Sequence, residues 1–440
     1  MVKTVLLGCG AVGRCILELL LIRTDLIPPE YLDNLVIIEP RDLHAVPHLK
    51  LYRYRHVKTA VTPKNLHRVM SIMSLGDLCI DVSVGVDAIE VMKVCDSVGA
   101  MYINTSLEGW EESSPEILDT SPKELYQRSL HRRMTEAHQL FRGKGVTKIV
   151  DCGMNPGLIS HLAKYALQTK YRKSLRTRRE FATAAKTLGL RVVHVTEIDT
   201  QTTKKPRPTS TFLSTWSCEG FYAEAVDPAQ LGAGTHETID GTRRSNVLIL
   251  PQRGMDTRLR SHAMTRLGKT VKVNGYCIPH GEANTLSRYF QSASYRPSVY
   301  YVYQPSLVAR QSIAAVKKNG YRMLPKNEVL RLPQLSKGYD SVGALLYFSN
   351  GSHIFCGTIL SVADVKRLGF RYSGPTTIQV AISMCSAINW MLRHPNRGLV
   401  TPEKLPHEEM IRMCKPFLGR FYCGKLSIPG RRKHRIEDFA

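Results

Sequence analysis

The residues best suited to chemistry in this 440-residue sequence begin at Gly8, where Gly8-Cys9-Gly10-Ala11-Val12-Gly13 spells G-x-G-x-x-G. The motif follows an apolar run (residues 2–7) and opens a stretch with helical Leu and Ile spacing (14–22); a second apolar run, 35–38, ends on the acid Glu39. Strand, glycine turn, helix and acid-tipped strand, in that order, mark a dinucleotide site. Gly8 permits the tight turn, Gly10 lets a pyrophosphate approach the backbone, and Gly13 lets the helix lie close to the strand. The phosphate charge then meets the first helix N–H groups, from Ala11 and Val12 onward, and the positive end of the helix dipole. Glu39 can accept both ribose hydroxyls and would repel a 2′-phosphate, so NAD is expected over NADP; Arg41, two residues on, softens that preference. Hydride chemistry follows.

The elements that must position such a site alternate along the first third of the chain. Apolar runs at 78–84, 101–104 and 148–152 are separated by helical stretches at 88–98 and 123–142, the rhythm of a parallel sheet covered on both faces. Ligands of such sheets bind beyond the carboxyl ends of the strands, which puts Ser83, Thr105 and Glu108 on the cofactor side. The neighbouring Glu111 and Glu112 carry no such argument and are expected to be solvated. After residue 152 the rhythm changes: strand-like segments at 190–196, 269–278 and 298–302 are joined by long polar loops, 338–346 and 353–360 look like paired strands, and 376–393 reads as a long helix. The expected fold class is α/β, a Rossmann-type doubly wound parallel sheet followed by a second, mixed α/β domain. Periodicity leaves open on which domain the last helix packs.

Five segments of that second part mix acids, aromatics and small polar residues as a plain core would not: 151–160 (DCGMNPGLIS), 196–201 (TEIDTQ), 215–224 (TWSCEGFYAE), 231–237 (LGAGTHE) and 276–283 (YCIPHGEA). At these residues the sequence resembles the homospermidine synthases, a branch of the saccharopine-dehydrogenase-like enzymes, and the likeness runs on through 343–348, Gln379 and 416–419. The resemblance implies that two putrescine molecules become homospermidine and ammonia through imines, with NAD taking a hydride and returning it. It also implies a homodimer, a cytoplasmic location, a Rossmann domain over 1–153 and a substrate-binding and dimerisation domain over 154–374. The segment 375–440 would be free to pack back on the first domain.

Alkyl amines stay protonated at neutral pH and bind only where carboxylates and an aromatic face replace lost water. Glu197 and Glu224 fit as ammonium anchors, and Trp216 can hold a cation over its indole face. His280 and Glu282, within the PHGEA-like segment, can exchange protons with the amine. Asn155, before Pro156, can offer an amide to nicotinamide or amine. Glu237 has no chemical assignment; the resemblance makes it structure near the site. The sequence departs from the usual pattern at Cys218, Glu219 and Ala233, which bears on pocket shape more than on reaction type.

Composition narrows the alternatives. Hydrophobic residues are 43 % and charged residues 22 %, as in a globular protein, and no apolar stretch approaches the roughly twenty residues a membrane span needs. Eleven cysteines without a Cys-x-x-Cys pair read as reduced thiols; His44 and His48, with Pro47 between them and no further ligand, give no metal set. The formal net charge is +24, with basic runs at 170–179, 204–207 and 431–435. They match no nucleic-acid signature and read as solvated surface. Two further readings stand beside the first: a saccharopine- or carboxynorspermidine-dehydrogenase-like oxidoreductase using NAD(P), against which the site segments offer no Arg to clamp a substrate carboxylate, and a non-catalytic nucleotide-binding scaffold.

Overall fold

The computed structural model describes residues 2–43, 46–110, 124, 126, 129–141, 143, 145–238, 242–244, 246–428 and 435–440. His44, Glu111, Glu112, residues 431–434 of the last basic run and part of the helical stretch 123–142 lie outside them.

Seven parallel strands build the first sheet, in the spatial order Leu399–Val400, Lys148–Ile149, Met101–Asn104, Leu78–Asp81, Thr4–Leu7, Leu35–Ile38, Tyr54–Val57. Strands Thr4–Leu7, Leu35–Ile38, Leu78–Asp81 and Met101–Asn104 are short and wholly buried, because apolar side chains point to both faces. Alternate residues go to opposite sides: Leu6, Ile37, Ile80 and Ile103 join one core, Val5, Val36, Cys79 and Tyr102 another. Helix Ala88–Val98, capped by Asp87, covers the second side. Helices Ala11–Ile22 and Pro375–Arg393 pack together on the first. The strand order reverses between Thr4–Leu7 and Leu78–Asp81, and the crevice beyond their carboxyl ends is where such sheets take a dinucleotide.

A ten-stranded mixed sheet forms the second part. Its central strand Leu190–Asp199 lies between Ser298–Gln304, parallel, and Tyr339–Phe348, antiparallel. The two-residue alternation sends Val193, Val195, Tyr301 and Tyr303 to the face shared with the first domain's core, and Val192, Ile198, Tyr300 and Val302 to the other. Register sets Glu197 beside Tyr303 and Asp199 beside Asp340, which puts these acids on the inner face. The paired strands expected at 338–346 and 353–360 are Tyr339–Phe348 and His353–Ser361, antiparallel.

The last helix, whose partner periodicity left open, packs on the first domain. Asn389 donates to the Leu26 carbonyl at 3.0 Å. Glu18, buried in helix Ala11–Ile22, accepts the backbone N–H groups of Arg371, Tyr372 and Ser373 at 2.6, 3.1 and 3.0 Å. The chain then gives strand Leu399–Val400 to the first sheet and strand Arg420–Gly424 to the edge of the second.

Candidate active site

At the crevice the glycines do what their spacing requires. Gly8 sits at φ +88°, and a Cβ there would lie 2.8 Å from the Ser83 backbone; a Cβ on Gly13 would lie 2.6 Å from the Gly8 carbonyl. Gly10, by contrast, has only the Arg41 guanidinium within reach of an added Cβ, so its outer side is open. Helix Ala11–Ile22 has no side-chain cap and no acid in its first turn, which leaves the first N–H groups, at Ala11 and Val12, for an anion. Glu39 closes the crevice, its Oε2 accepting the Cys9 N–H at 2.8 Å and its Oε1 the Arg41 Nε at 2.7 Å. Burial pushes this carboxyl up, but the Arg41 and Cys9 contacts outweigh it and hold Glu39 below the usual carboxylate range. Glycine turn, bare helix end and ionised acid together fit a dinucleotide. Ser83 donates to Asp81 at 2.6 Å on the crevice floor. Thr105 lies further along, its methyl 3.8 Å from where a Gly153 Cβ would be, next to the Gly153–Gly157 turn.

Across the crevice stands a wall of acids and tyrosines. Asn155 donates to Glu197 Oε2 and to the Tyr301 hydroxyl, each at 2.6 Å, and that hydroxyl donates to the same Glu197 oxygen at 2.6 Å. The His280 ring lies 4.0 Å from the Tyr301 ring, centroid to centroid. Its Nε2 is 3.1 Å from Glu224 Oε1 and its Nδ1 3.1 Å from Glu282 Oε2. Tyr301 and Tyr303 stack at 5.8 Å, and the Trp216 indole N–H donates to the Tyr303 hydroxyl at 3.2 Å. Trp216 thus joins the wall through Tyr303. Its other ring contact is Phe221 at 6.0 Å. Local sequence explains the placement of Glu224: Ser217 caps helix Cys218–Val226, and Gly220 admits the indole, whose edge would meet a Cβ there at 2.9 Å.

The electrostatics follow from burial. Glu197 is pushed up to about 7 by loss of water, against the pull of its Tyr301 and Asn155 hydrogen bonds. Glu108, accepting the Gly85 N–H at 3.1 Å, is likewise pushed up to about 7 by burial, with Asp81 and Glu224 adding repulsion. That repulsion ties Glu108, on the first domain, to the Glu224 wall of the second. Burial alone would drive the His280 imidazole down; its two flanking carboxylates win and hold it well above the ordinary histidine range. Both ring nitrogens face acids, so the ring is a doubly donating imidazolium. Glu224 is raised by burial, and its second oxygen, Oε2, is buried with no hydrogen-bond partner.

Sequence reasoning missed part of the wall. Asp199 follows Glu197 at the same-face spacing, accepts the Thr215 hydroxyl at 2.7 Å and is pushed up to about 6 by burial. Asp340, opposite Asp199, takes the Gln379 amide at 3.1 Å on one oxygen and faces the Thr376 hydroxyl as well. The period-two rule applied to TEIDTQ and SVYYVYQ would have flagged Asp199, Tyr301 and Tyr303; Asp340 is paired only by tertiary register. Glu237 is corrected: with Ser298, at 2.6 Å, and Tyr300 it lies on the opposite face of the second sheet from the wall. The motif that carries it, LGAGTHE, ends in a turn at Gly234 that runs under that far face.

A nucleotide crevice of Rossmann topology facing a wall of buried acids and stacked aromatics defines an α/β dinucleotide-dependent enzyme. Two family models cover the chain: the saccharopine dehydrogenase NADP binding domain over residues 4–149 and the saccharopine dehydrogenase C-terminal domain over 153–422. Among curated proteins, a homospermidine synthase of Mesorhizobium japonicum is 28 % identical over 443 residues, covering 94 % of this chain and 88 % of that protein. One of Blastochloris viridis is 28 % identical and covers 94 % and 89 %. Among solved structures, the homospermidine synthase of Legionella pneumophila in complex with NAD superposes with a TM-score of 0.83 at 30 % identity, covering 96 % of this chain and 91 % of that one. The chain belongs to the saccharopine dehydrogenase family, in its homospermidine synthase branch.

Proposed function

We propose that the chain is an NAD-dependent homospermidine synthase that joins two putrescine molecules, releasing ammonia. NAD held over Gly8–Gly13 and Glu39 supplies the oxidising and then the reducing equivalent, so none is consumed over a cycle. The observation that carries this reading is the unpartnered, buried Glu224 Oε2 beside the His280 imidazolium: a buried acceptor without a donor is costly unless a cationic guest completes it.

Each residue then has work suited to its state. Glu197, with Asn155 and Tyr301 fixing its carboxylate, anchors one ammonium, and the binding of that cation draws its proton off. Glu108, between the two domains, accepts the proton an ammonium must lose before its carbon can release hydride. Trp216, backed by Tyr303, gives the aliphatic cation an aromatic face. Glu224, His280 and Glu282 exchange protons with the departing and the attacking amine. Ser83 and Thr105 line the cofactor side. Stacked rings and buried acids keep bulk water from the imine, which would otherwise hydrolyse to an aldehyde.

Putrescine and related polyamines are the small-molecule partners in this reading, the working form is a homodimer built on the second domain, and the site of action is the cytoplasm. Among the described residues no helix is long and apolar enough to cross a membrane. Incubating the purified protein with putrescine and NAD should give homospermidine and one ammonia per product, with no accumulating NADH. Stoichiometric build-up of NADH would replace this reading with a dehydrogenase, and absence of turnover with salt-dependent binding of DNA or RNA would leave a scaffold.

A further inference from the structure

Asp151 takes no part in the wall, yet its backbone and carboxyl touch both halves of the site. It follows strand Lys148–Ile149, is buried at 6 % exposure and holds φ +55°, one of three non-glycine residues with positive φ among those described. Its N–H donates to the Asn104 side chain at 3.0 Å. Its Oδ1 accepts the N–H of Leu107, the residue before Glu108, at 3.1 Å. Its Oδ2 lies where a Cβ on Gly281 would be 2.3 Å away. Gly281 does not have a positive φ, so the glycine between His280 and Glu282 is there for room, and what fills the room is the Asp151 carboxyl.

We propose that Asp151 is a positioning residue of the reaction centre, the pin that sets the Glu108 loop of the first domain against the His280–Gly281–Glu282 turn of the second. The assignment rests on the functional reading above, in which Glu108 and His280 serve one substrate. The charged groups facing Asp151 are Glu282 and His280 from that turn and Glu403 from turn Pro402–Lys404; among the described residues no Lys or Arg forms an ion pair with it. Burial and the two acids push its carboxyl up to about 7, against His280. Near neutrality it therefore spends much of its time as a neutral acid, whose Oδ1 still accepts from Leu107 without adding an anion behind His280.

Two variants separate side chain from backbone, since glycine and asparagine both tolerate left-handed φ. Asp151→Gly keeps the backbone and removes the carboxyl; kcat for homospermidine formation should drop at least tenfold, while KM for putrescine and NAD affinity by fluorescence titration stay within threefold. Asp151→Asn retains the acceptor for Leu107 and the neutral charge, and should return kcat to within threefold of wild type. Gly281→Ala, which displaces the carboxyl, should reproduce the kcat loss. A kcat within twofold of wild type for Asp151→Gly, or an Asp151→Asn as slow as the glycine variant, overturns the role. Failure of the wild-type protein to make homospermidine sinks the functional reading instead, so the two failures are told apart.

Discussion

Glu197 shows how one residue's surroundings dictate its behaviour. Burial costs it water and pushes its carboxyl from the ordinary 4.5 up to about 7, so the neutral form is populated in the free protein near neutral pH. Putrescine binding needs the anion; kcat/KM should therefore fall as pH drops through about 7, and binding should release protons, which calorimetry in buffers of different ionisation enthalpy would count. Glu197→Gln should raise KM for putrescine about 10- to 100-fold, the 1.5–3 kcal/mol of a hydrogen bond to a charge, and flatten that pH limb. The stability effect has the opposite sign. A carboxyl whose native pKa is raised stabilises the fold below its unfolded value and loses that contribution as pH climbs toward 7. The thermal midpoint of Glu197→Gln should thus gain on wild type between pH 4.5 and 7; a gap that stays constant would refute the shift. At Trp216 the face matters more than the N–H. Trp216→Phe should keep kcat/KM within about tenfold, whereas Trp216→Ala should lose about 2 kcal/mol of substrate binding, measured by steady-state kinetics.

Among the elements, the joint between helix Ala11–Ile22 and the segment leading into helix Pro375–Arg393 is the most exposed to test. Glu18 satisfies three backbone N–H groups and the Ser373 hydroxyl from inside the protein. Glu18→Ala strands those donors and should destabilise by about 3 kcal/mol, read from the urea midpoint; a change under 1 kcal/mol would mean the loop re-solvates freely. Nothing in the sequence pairs Glu18 with residue 371. Elements legible from sequence were those with unmixed signals: strands Leu35–Ile38 and Met101–Asn104 and helix Ala88–Val98 lie where apolar runs and helical spacing put them. Helix Pro375–Arg393 was legible as a helix but not in its partner, because fifteen of its nineteen residues are buried and no polar stripe gives a direction. Strands Pro228–Gly232 and Arg258–Met264 escaped, the first carrying Pro and Gly, the second reading as a charged edge. The site followed the same division. His280, Glu282, Glu224 and Asn155 stand in compact polar segments, while Asp340 is an ordinary strand residue whose meaning comes from register.

On the scale of the whole molecule, a formal charge of +24 confronts a doubly positive substrate. The acids that would draw putrescine are buried, whereas Lys204, Lys205, Arg207 and Lys318 line an open groove of about 1160 Å³ beside Gln201. Long-range repulsion should slow capture at low ionic strength and fade as the Debye length shrinks to about 10 Å at 0.1 M salt. kcat/KM for putrescine should therefore rise between about 10 and 150 mM salt; a steep fall would mean that local acids govern capture from afar. The path of the chain bears on something else. It builds one sheet, leaves for the other, returns to hang an edge strand at Leu399–Val400, and leaves again to close the far edge at Arg420–Gly424. Anyone grafting the nucleotide half of this protein onto a cousin's substrate half must transplant two pieces, the first running to strand Lys148–Ile149 and the second from helix Pro375–Arg393 through strand Leu399–Val400, since a single crossover after the first would leave the nucleotide half with a borrowed border and a borrowed back.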